Sequence, residues 1–482
     1  MEGVVPVSWS KASLYDVVDI LDSQRIPVNN KERQVRLENA ERTFPYFGAT
    51  GQVGEIDDYI FDGEAVLLGE DAAPFLDPYK AKAYLVSGKY WVNNHAHILR
   101  GNGCIENVFL CHQLNVLNYR QYVSGTTRLK LTQSSLKELP IKLPPLKEQR
   151  RIVEKIETVF ARLDKAEEAV REVQKLLKQY RQSVLKAAVT GELTADWRAE
   201  NKDKLEPASD LLSRILKTRR DNWQGRGKYK EPVEPNTSDL PDLPEGWEWA
   251  TSVRVVSVFG NGLSRKPSIQ ETAFPILRIS ATRAMKVSID DLRYYEPKEG
   301  EDLTRFWVLE GDLLFTRYNG SAHLVGVCGQ MRGSKHVLHP DKLIKARPVN
   351  VSDISNDFLE LAWNSGASRA HIAKHIKTTS GQQGVAGSDV KLTPFPLPSG
   401  SEQFEIASRV WAAIEQADKM ANWCEAELKR STSLRQSILK DAFSGKLVPQ
   451  DIEDEPASEL LTRIKAEKEA AKSAPKRRKA KA

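Results

Sequence analysis

Arg317, Tyr318 and Asn319 follow the apolar run Leu313-Leu314-Phe315 and end in Gly320-Ser321, which places them on an exposed turn. The chemistry open to such a turn is recognition. An arginine fork matches O6 and N7 of guanine, and an asparagine amide matches N6 and N7 of adenine. The competing reading gives Arg317 a salt bridge and Asn319 the turn geometry. Ser380, Gln382 and Gln383, in a glycine-rich loop flanked by Lys377, form a second donor-rich set. In the first third of the chain, Ser124, Thr126, Thr127 and Arg128 occupy the matching place. There the turn equivalent to Arg317–Asn319 is Gly69-Glu70-Asp71. Carboxylates repel phosphate, so this loop either accepts from a cytosine N4 or stays off nucleic acid. Arg278, Arg283, Lys80, Lys82, Lys89, Lys342 and Lys345 are candidate phosphate contacts.

Residues for bond-making chemistry are harder to find. Phe259-Gly-Asn-Gly262 and Asp77-Pro-Tyr79 are fragments of a methyltransferase cofactor loop and base-holding motif, separately placed, and read as loop and turn. There is no Gly-x4-Gly-Lys-Ser/Thr phosphate loop. The pairs His95/His97, His336/His339 and His371/His375 lack a nearby cysteine or carboxylate set at zinc-site spacing, which favours structural or nucleic-acid-facing roles. The four cysteines, Cys104, Cys111, Cys328 and Cys424, have no ligand spacing and are expected to be unpaired. No catalytic, cofactor-binding or metal-ligating residue is expected on this chain.

Two copies of one unit must position these residues. Residues 137–193 come back without a gap at 391–447, carrying Pro140…Leu143-Pro144…Glu148-Gln149…Asp164-Lys165…Arg181-Gln182-Ser183…Gly191 onto Pro394…Leu397-Pro398…Glu402-Gln403…Asp418-Lys419…Arg435-Gln436-Ser437…Gly445. A second echo matches Glu206–Ile215 with Glu455–Ile464. Self-similarity this long decides architecture before any other reading. In the first copy, Ile152, Ile156, Val159, Leu163, Ala166, Val170, Val173, Leu177, Tyr180, Val184 and Ala187 step 4-3-4-3, the seam of a coiled coil. From Ile152 to Ala187 this makes a rod of roughly 54 Å. The second copy keeps the frame at Ile406, Val410, Ala413, Ala417, Met420, Cys424, Leu434 and Ile438, but puts Glu427 and Ser431 on the seam, so its middle should pack less well. Each helix could instead lie on its own globular domain. Two matching seams in one chain are better satisfied by each other.

Residues 1–136 and 245–390 hold short β-rich runs such as Tyr59–Leu68, Tyr90–Leu99 and Asp312–Thr316, and read as mixed α/β blocks. Trp9 opens the first block and Trp247 the second. Between them, Asp221–Pro244 carries Pro232, Pro235, Pro241 and Pro244 and should be extended. Composition fits a multidomain cytoplasmic protein of 482 residues: 40% apolar content supports cores, and no apolar run approaches the roughly 18 residues of a membrane span. The opening Met-Glu-Gly-Val-Val-Pro lacks the basic and apolar regions of a signal peptide. A net charge of +6 permits nucleic-acid binding without demanding it.

The sequence resembles the specificity subunits of Type I restriction–modification systems along essentially its full length. The resemblance is carried by Leu243-Pro-Glu-Gly-Trp247-Glu-Trp249, Gly311-Asp-Leu-Leu-Phe-Thr-Arg-Tyr-Asn-Gly-Ser321, Phe47-Gly-Ala-Thr-Gly51 with Asp58-Tyr-Ile-Phe-Asp-Gly63, Thr378-Thr-Ser-Gly-Gln382 and the two Leu-Pro…Glu-Gln helix starts. Each piece is weak alone; their order and duplication are specific. The resemblance implies an α+β chain with a pseudo-two-fold internal repeat. Target-recognition domains would span 1–139 and 245–393, each reading one half of a bipartite double-stranded DNA site. A central conserved helical region (140–220), a proline-rich linker (221–244), a C-terminal conserved helical region (394–470) and a basic disordered tail (471–482) complete it. The two long helices would form an antiparallel coiled coil through Ile152, Ile156, Leu163, Leu177, Ile406, Val410, Leu434 and Ile438, fix the spacer and dock two methyltransferase subunits. Restriction and translocase subunits would join them, and S-adenosylmethionine, ATP and magnesium would belong to those partners. The alternatives are a self-contained DNA methyltransferase or nuclease with unrecognised motifs, and a coiled-coil scaffold with no DNA role.

Overall fold

The computed structural model describes residues 6–38, 40–223, 227–379 and 381–473. Most of the basic tail therefore lies outside the described residues, as does Ser380. The chain divides into two compact units, 1–172 with 424–482, and 173–423. Each long helix contributes one half to each unit.

In the first unit, Val18–Ile20, Ala96–Gly101, Ala65–Gly69 and Ala83–Val86 form a four-stranded antiparallel sheet in that order. A second sheet runs Gly51–Ile56, Phe44–Gly48, Lys89–Val92, Phe61–Asp62, with one parallel pairing between Phe44–Gly48 and Lys89–Val92. Every residue of Ala65–Gly69 is buried. A strand covered on both faces needs no polar alternation, hence its continuous apolar sequence. Two of the expected β runs are each broken into two strands. Gly63, at φ +103°, turns the chain inside Tyr59–Leu68. Asn93, whose Oδ1 accepts the His95 N–H at 2.8 Å, turns it inside Tyr90–Leu99.

The second unit repeats this plan with different residues. Val256–Asn261, Leu343–Pro348, Leu313–Thr316 and Cys328–Gln330 make the first sheet. Leu292–Tyr294, Pro275–Leu277, Val337–Leu338 and Trp307–Val308 make the second, again with one parallel pair. The shared skeleton is thus a topology held by dissimilar cores.

The repeated segments form helices Leu146–Thr190 and Gly400–Ala442. Gly191 and Gly445 end them at φ +77° and +73°, a left-handed cap that costs glycine little. Their pairing is antiparallel within each unit. In the first, Ile152 and Ile156 share a buried cluster with Ile438, Leu439 and Ala442. In the second, Val184 and Ala188 share one with Ile406 and Val410. The polar contacts are reciprocal: Arg435 pairs with Asp164 at 2.6 Å, and Arg181, its repeat equivalent, pairs with Asp418, the equivalent of Asp164.

The seam differs from the heptad expectation in its middle. Leu163 and Leu177 are half-buried, while Ala166, Tyr180, Met420 and Leu434 are exposed. Leu434 does not enter the seam, because Arg435 turns inward instead. Its guanidinium lies 5.0 Å from the Phe160 ring and 3.2 Å from Glu167, which also accepts from Ser431 at 2.7 Å. This polar cluster replaces leucine packing. Ile156→Ala should accordingly cost about 2–5 kcal/mol in unfolding free energy, the range for a truncated core isoleucine. Leu434→Ala should stay within about 0.5 kcal/mol. Equal losses in a denaturant titration would contradict this assignment of the seam.

Candidate nucleic-acid interface

The two recognition loops of the second unit are one structural element. Tyr318–Asn319, Gln382–Gly384 and Lys377–Thr379 form a three-stranded antiparallel ribbon, with Asn319 opposite Gln383 and Tyr318 opposite Gly384. Val385 N–H donates to Arg317 O at 3.0 Å, extending the ladder to Arg317. Side-chain alternation puts Asn319, Thr378 and Gln383 on one face and Tyr318, Lys377 and Gln382 on the other. Gly384 has no room for a Cβ, because the Tyr318 ring lies over it. The Arg317 guanidinium and Lys342 Nζ lie 4.8 and 4.9 Å from the centre of that ring.

Among the described residues no carboxylate pairs with Arg317, so the salt-bridge reading of this side chain fails. Its Nε and the Oε1 of Gln383 are shielded from solvent and lack hydrogen-bond partners. Leaving such groups unpaired costs about 1–3 kcal/mol each. Gln382 and Lys377 are exposed. Asn319 is different: its Oδ1 accepts the Ser321 N–H at 3.1 Å. That bond fixes the turn and uses one of the two lone pairs of the amide oxygen.

The first unit brings the equivalent segments together and neutralises them. Leu131 N–H donates to Glu70 O at 2.7 Å, and Asp71 bridges Lys130. Val123–Ser124 pairs with Lys130–Leu131, leaving Ser124, Thr126, Thr127 and Arg128 exposed. Glu70 pairs with Arg25 at 2.8 Å and Lys130 at 3.3 Å. Asp71 pairs with Arg128 at 2.8 Å and His95 at 2.9 Å. Partial burial would raise the Asp71 carboxyl, but hydrogen bonds from Arg128 and His95 hold it below the usual carboxylate value. The carboxylates therefore do not face DNA as free charges. Arg25 carried no sequence signal for this role, since it lies far from Glu70 along the chain.

Several candidate phosphate contacts fall elsewhere. Lys82 and Lys345 are each only 2% exposed and donate to backbone carbonyls, Lys82 to Asp77 O and Lys345 to Arg305 O, so neither can reach a phosphate. Burial pushes the Lys345 amine down to about 8. Arg278 is paired with Asp291. Arg283 is exposed on a hairpin, with one nitrogen donating to its neighbour's carbonyl, Thr282 O, at 2.8 Å.

Four of the histidines serve the fold. His97 is buried between Asp22 (2.6 Å) and Leu131 O (2.9 Å). His339 faces Phe306 O at 2.8 Å and is pushed down to about 4 by burial. His371 and His375 stack on one helix face with centroids 4.2 Å apart. Among the described residues no three His, Cys, Asp or Glu side chains are grouped to hold a metal ion, and all four cysteines are free and buried.

A family described as Type I restriction modification DNA specificity domain matches residues 6–173. The EcoKI specificity subunit of Escherichia coli K12, a Type I restriction enzyme component, is 34% identical over 387 residues, covering 77% of this chain and 74% of that protein. The chain belongs to the Type I restriction enzyme specificity subunits. The EcoDI specificity subunit of Escherichia coli aligns over 97% of both chains at 23% identity. Among solved structures, a chain from a type I R-M system studied for complex assembly and conformational transition has a TM-score of 0.60 at 17% identity, covering 92% of this chain and all of that one. The HsdS subunit of Thermoanaerobacter tengcongensis gives 0.50 at 18%, covering 92% and 98%. These two likenesses bear on the fold alone, and it is the fold described above. The protein is a DNA specificity subunit of a Type I restriction–modification system, and a self-contained methyltransferase or nuclease is not supported.

Proposed function

We propose that each recognition domain reads one half of a bipartite DNA site through its ribbon, and that the helix pair sets the spacer and docks two methyltransferase subunits. The observation that carries this reading is the duplicated topology, which places 317–319 beside 377–384 in one unit and 69–71 beside 129–131 in the other. Arg317, Gln383, Tyr318, Lys377 and Gln382 supply direct contacts in the second reader. Ser124, Thr126 and Thr127 supply them in the first, where Arg128 must first leave Asp71. Two similar readers on an antiparallel pair suit two half-sites separated along a duplex.

The chain itself performs no chemistry in this scheme. S-adenosylmethionine, ATP and magnesium act on the methyltransferase and restriction/translocase partners, in the cytoplasm; among the described residues no helix is long and apolar enough to cross a membrane. The test is methylation of a DNA library carrying two randomised half-sites and a variable spacer. The assembled complex should select one bipartite sequence, and the purified chain with S-adenosylmethionine should methylate nothing. Methylation by the chain alone, or by a complex with no sequence preference, would overturn the proposal.

A further inference from the structure

Each unit ties its recognition domain to the helix pair at the same three-part joint. In the first, Trp9 Nε1 donates to Glu148 Oε1 at 3.0 Å, and Gln450 Nε2 donates to the same oxygen at 2.7 Å. In the second, Trp247 Nε1 donates to Glu402 Oε2 at 2.8 Å, and Thr194 Oγ1 and Arg198 Nε donate to Oε1 at 2.7 and 2.9 Å. The tryptophan comes from the start of the domain, the glutamate from the first turn of one long helix, and the third group from just beyond the end of the other. Both glutamates are 1% exposed. The capping glycines belong to the joint too: a Cβ on Gly445 would strike Pro6, and one on Gly191 would strike Pro244.

The next residue locks the domain from a second side. Gln149 donates to Cys104 O at 2.9 Å and to Pro144 O at 3.0 Å, and accepts from Glu106 N–H at 2.9 Å. Gln403 donates to Pro398 O at 3.2 Å and accepts from Ser355 N–H at 3.1 Å. Apolar packing alone permits a domain to swivel, whereas hydrogen bonds are directional and fix an angle. Both copies retain this Trp-to-Glu bond.

We propose that the Trp9–Glu148 and Trp247–Glu402 bonds are positioning contacts that hold each recognition domain at a fixed angle on the helices, and so determine how strictly spacer length is enforced. This rests on the half-site reading above. Trp9→Phe and Trp247→Phe keep the ring and remove only the N–H donor. In the assembled complex, each should cut the preference for the native spacer over spacers one base pair longer or shorter at least tenfold, with both half-site sequences unchanged. Glu148→Gln retains an acceptor for Trp9 and should keep the native spacer preference. Glu402→Gln should not, because it removes the charge that Arg198 pairs with. Should Trp9→Phe fail to assemble, Gln450→Ala, at the exposed edge of the joint, should broaden the spacer in the same direction. A spacer profile identical to wild type in the assembled tryptophan variants, or altered half-site bases, would overturn the inference. If wild type itself shows no bipartite preference, the half-site reading has failed rather than the joint.

Discussion

Arg317→Ala is expected to relax recognition in one half of the DNA site while leaving the other half as stringent as before. The guanidinium stands on a ribbon end with no carboxylate partner and a buried, unpaired Nε. A lost base contact should cost about 1–3 kcal/mol, roughly five- to 150-fold in discrimination at the affected position. A lost phosphate contact would instead lower affinity evenly for all sequences and reduce the salt slope by about one. Methylation of a library randomised at both half-sites, run beside a melting curve and a salt titration, separates these outcomes. Relaxation in the half read by the first domain would show that the readers are not independent, and the modular account would be wrong.

Lengthening both long helices by one heptad should move the half-sites apart without changing them. Seven residues keep the seam in phase and add about 10 Å of helix, close to three base pairs of duplex rise. Insertion after Glu172 in the first helix and after Trp423 in the second falls in the middle of the seam, where the first helix buries no side chain and the second buries Cys424 beside the insertion point. A four-residue insertion breaks the heptad phase and should impair assembly. The selected spacer from the library is the measurement. New half-site sequences at the old spacing would refute the helix pair as a ruler.

Much of the architecture was legible because it is periodic or duplicated. The 4-3 spacing from Ile152 onward reports a helix face, since neighbours three and four apart share a side of one helix. The gapless repeat announced two equivalent units, and Gly191, past the last seam residue Ala187, stands where a cap belongs and takes φ +77°. These are properties of contiguous residues, so one strand of sequence suffices to carry them.

What the tertiary structure decided depends on partners far apart in the chain. Leu434 fits the heptad frame, but Arg435 wins the inward position because Asp164, Glu167 and the Phe160 ring happen to face it. Lys82 and Lys345 look like surface lysines until the backbone carbonyls of Asn115 and Arg305, from distant segments, close over them. The Gly69–Asp71 loop reads as repulsive to DNA until Arg25, Lys130 and Arg128 neutralise it. Asn319 and Gln383 gain a shared face only when their strands pair. By itself the sequence determined the two long helices and that the unit occurs twice. Which charges remain free to meet DNA was set by long-range packing, because a charge's partner is chosen by the fold and not by its neighbours in the chain.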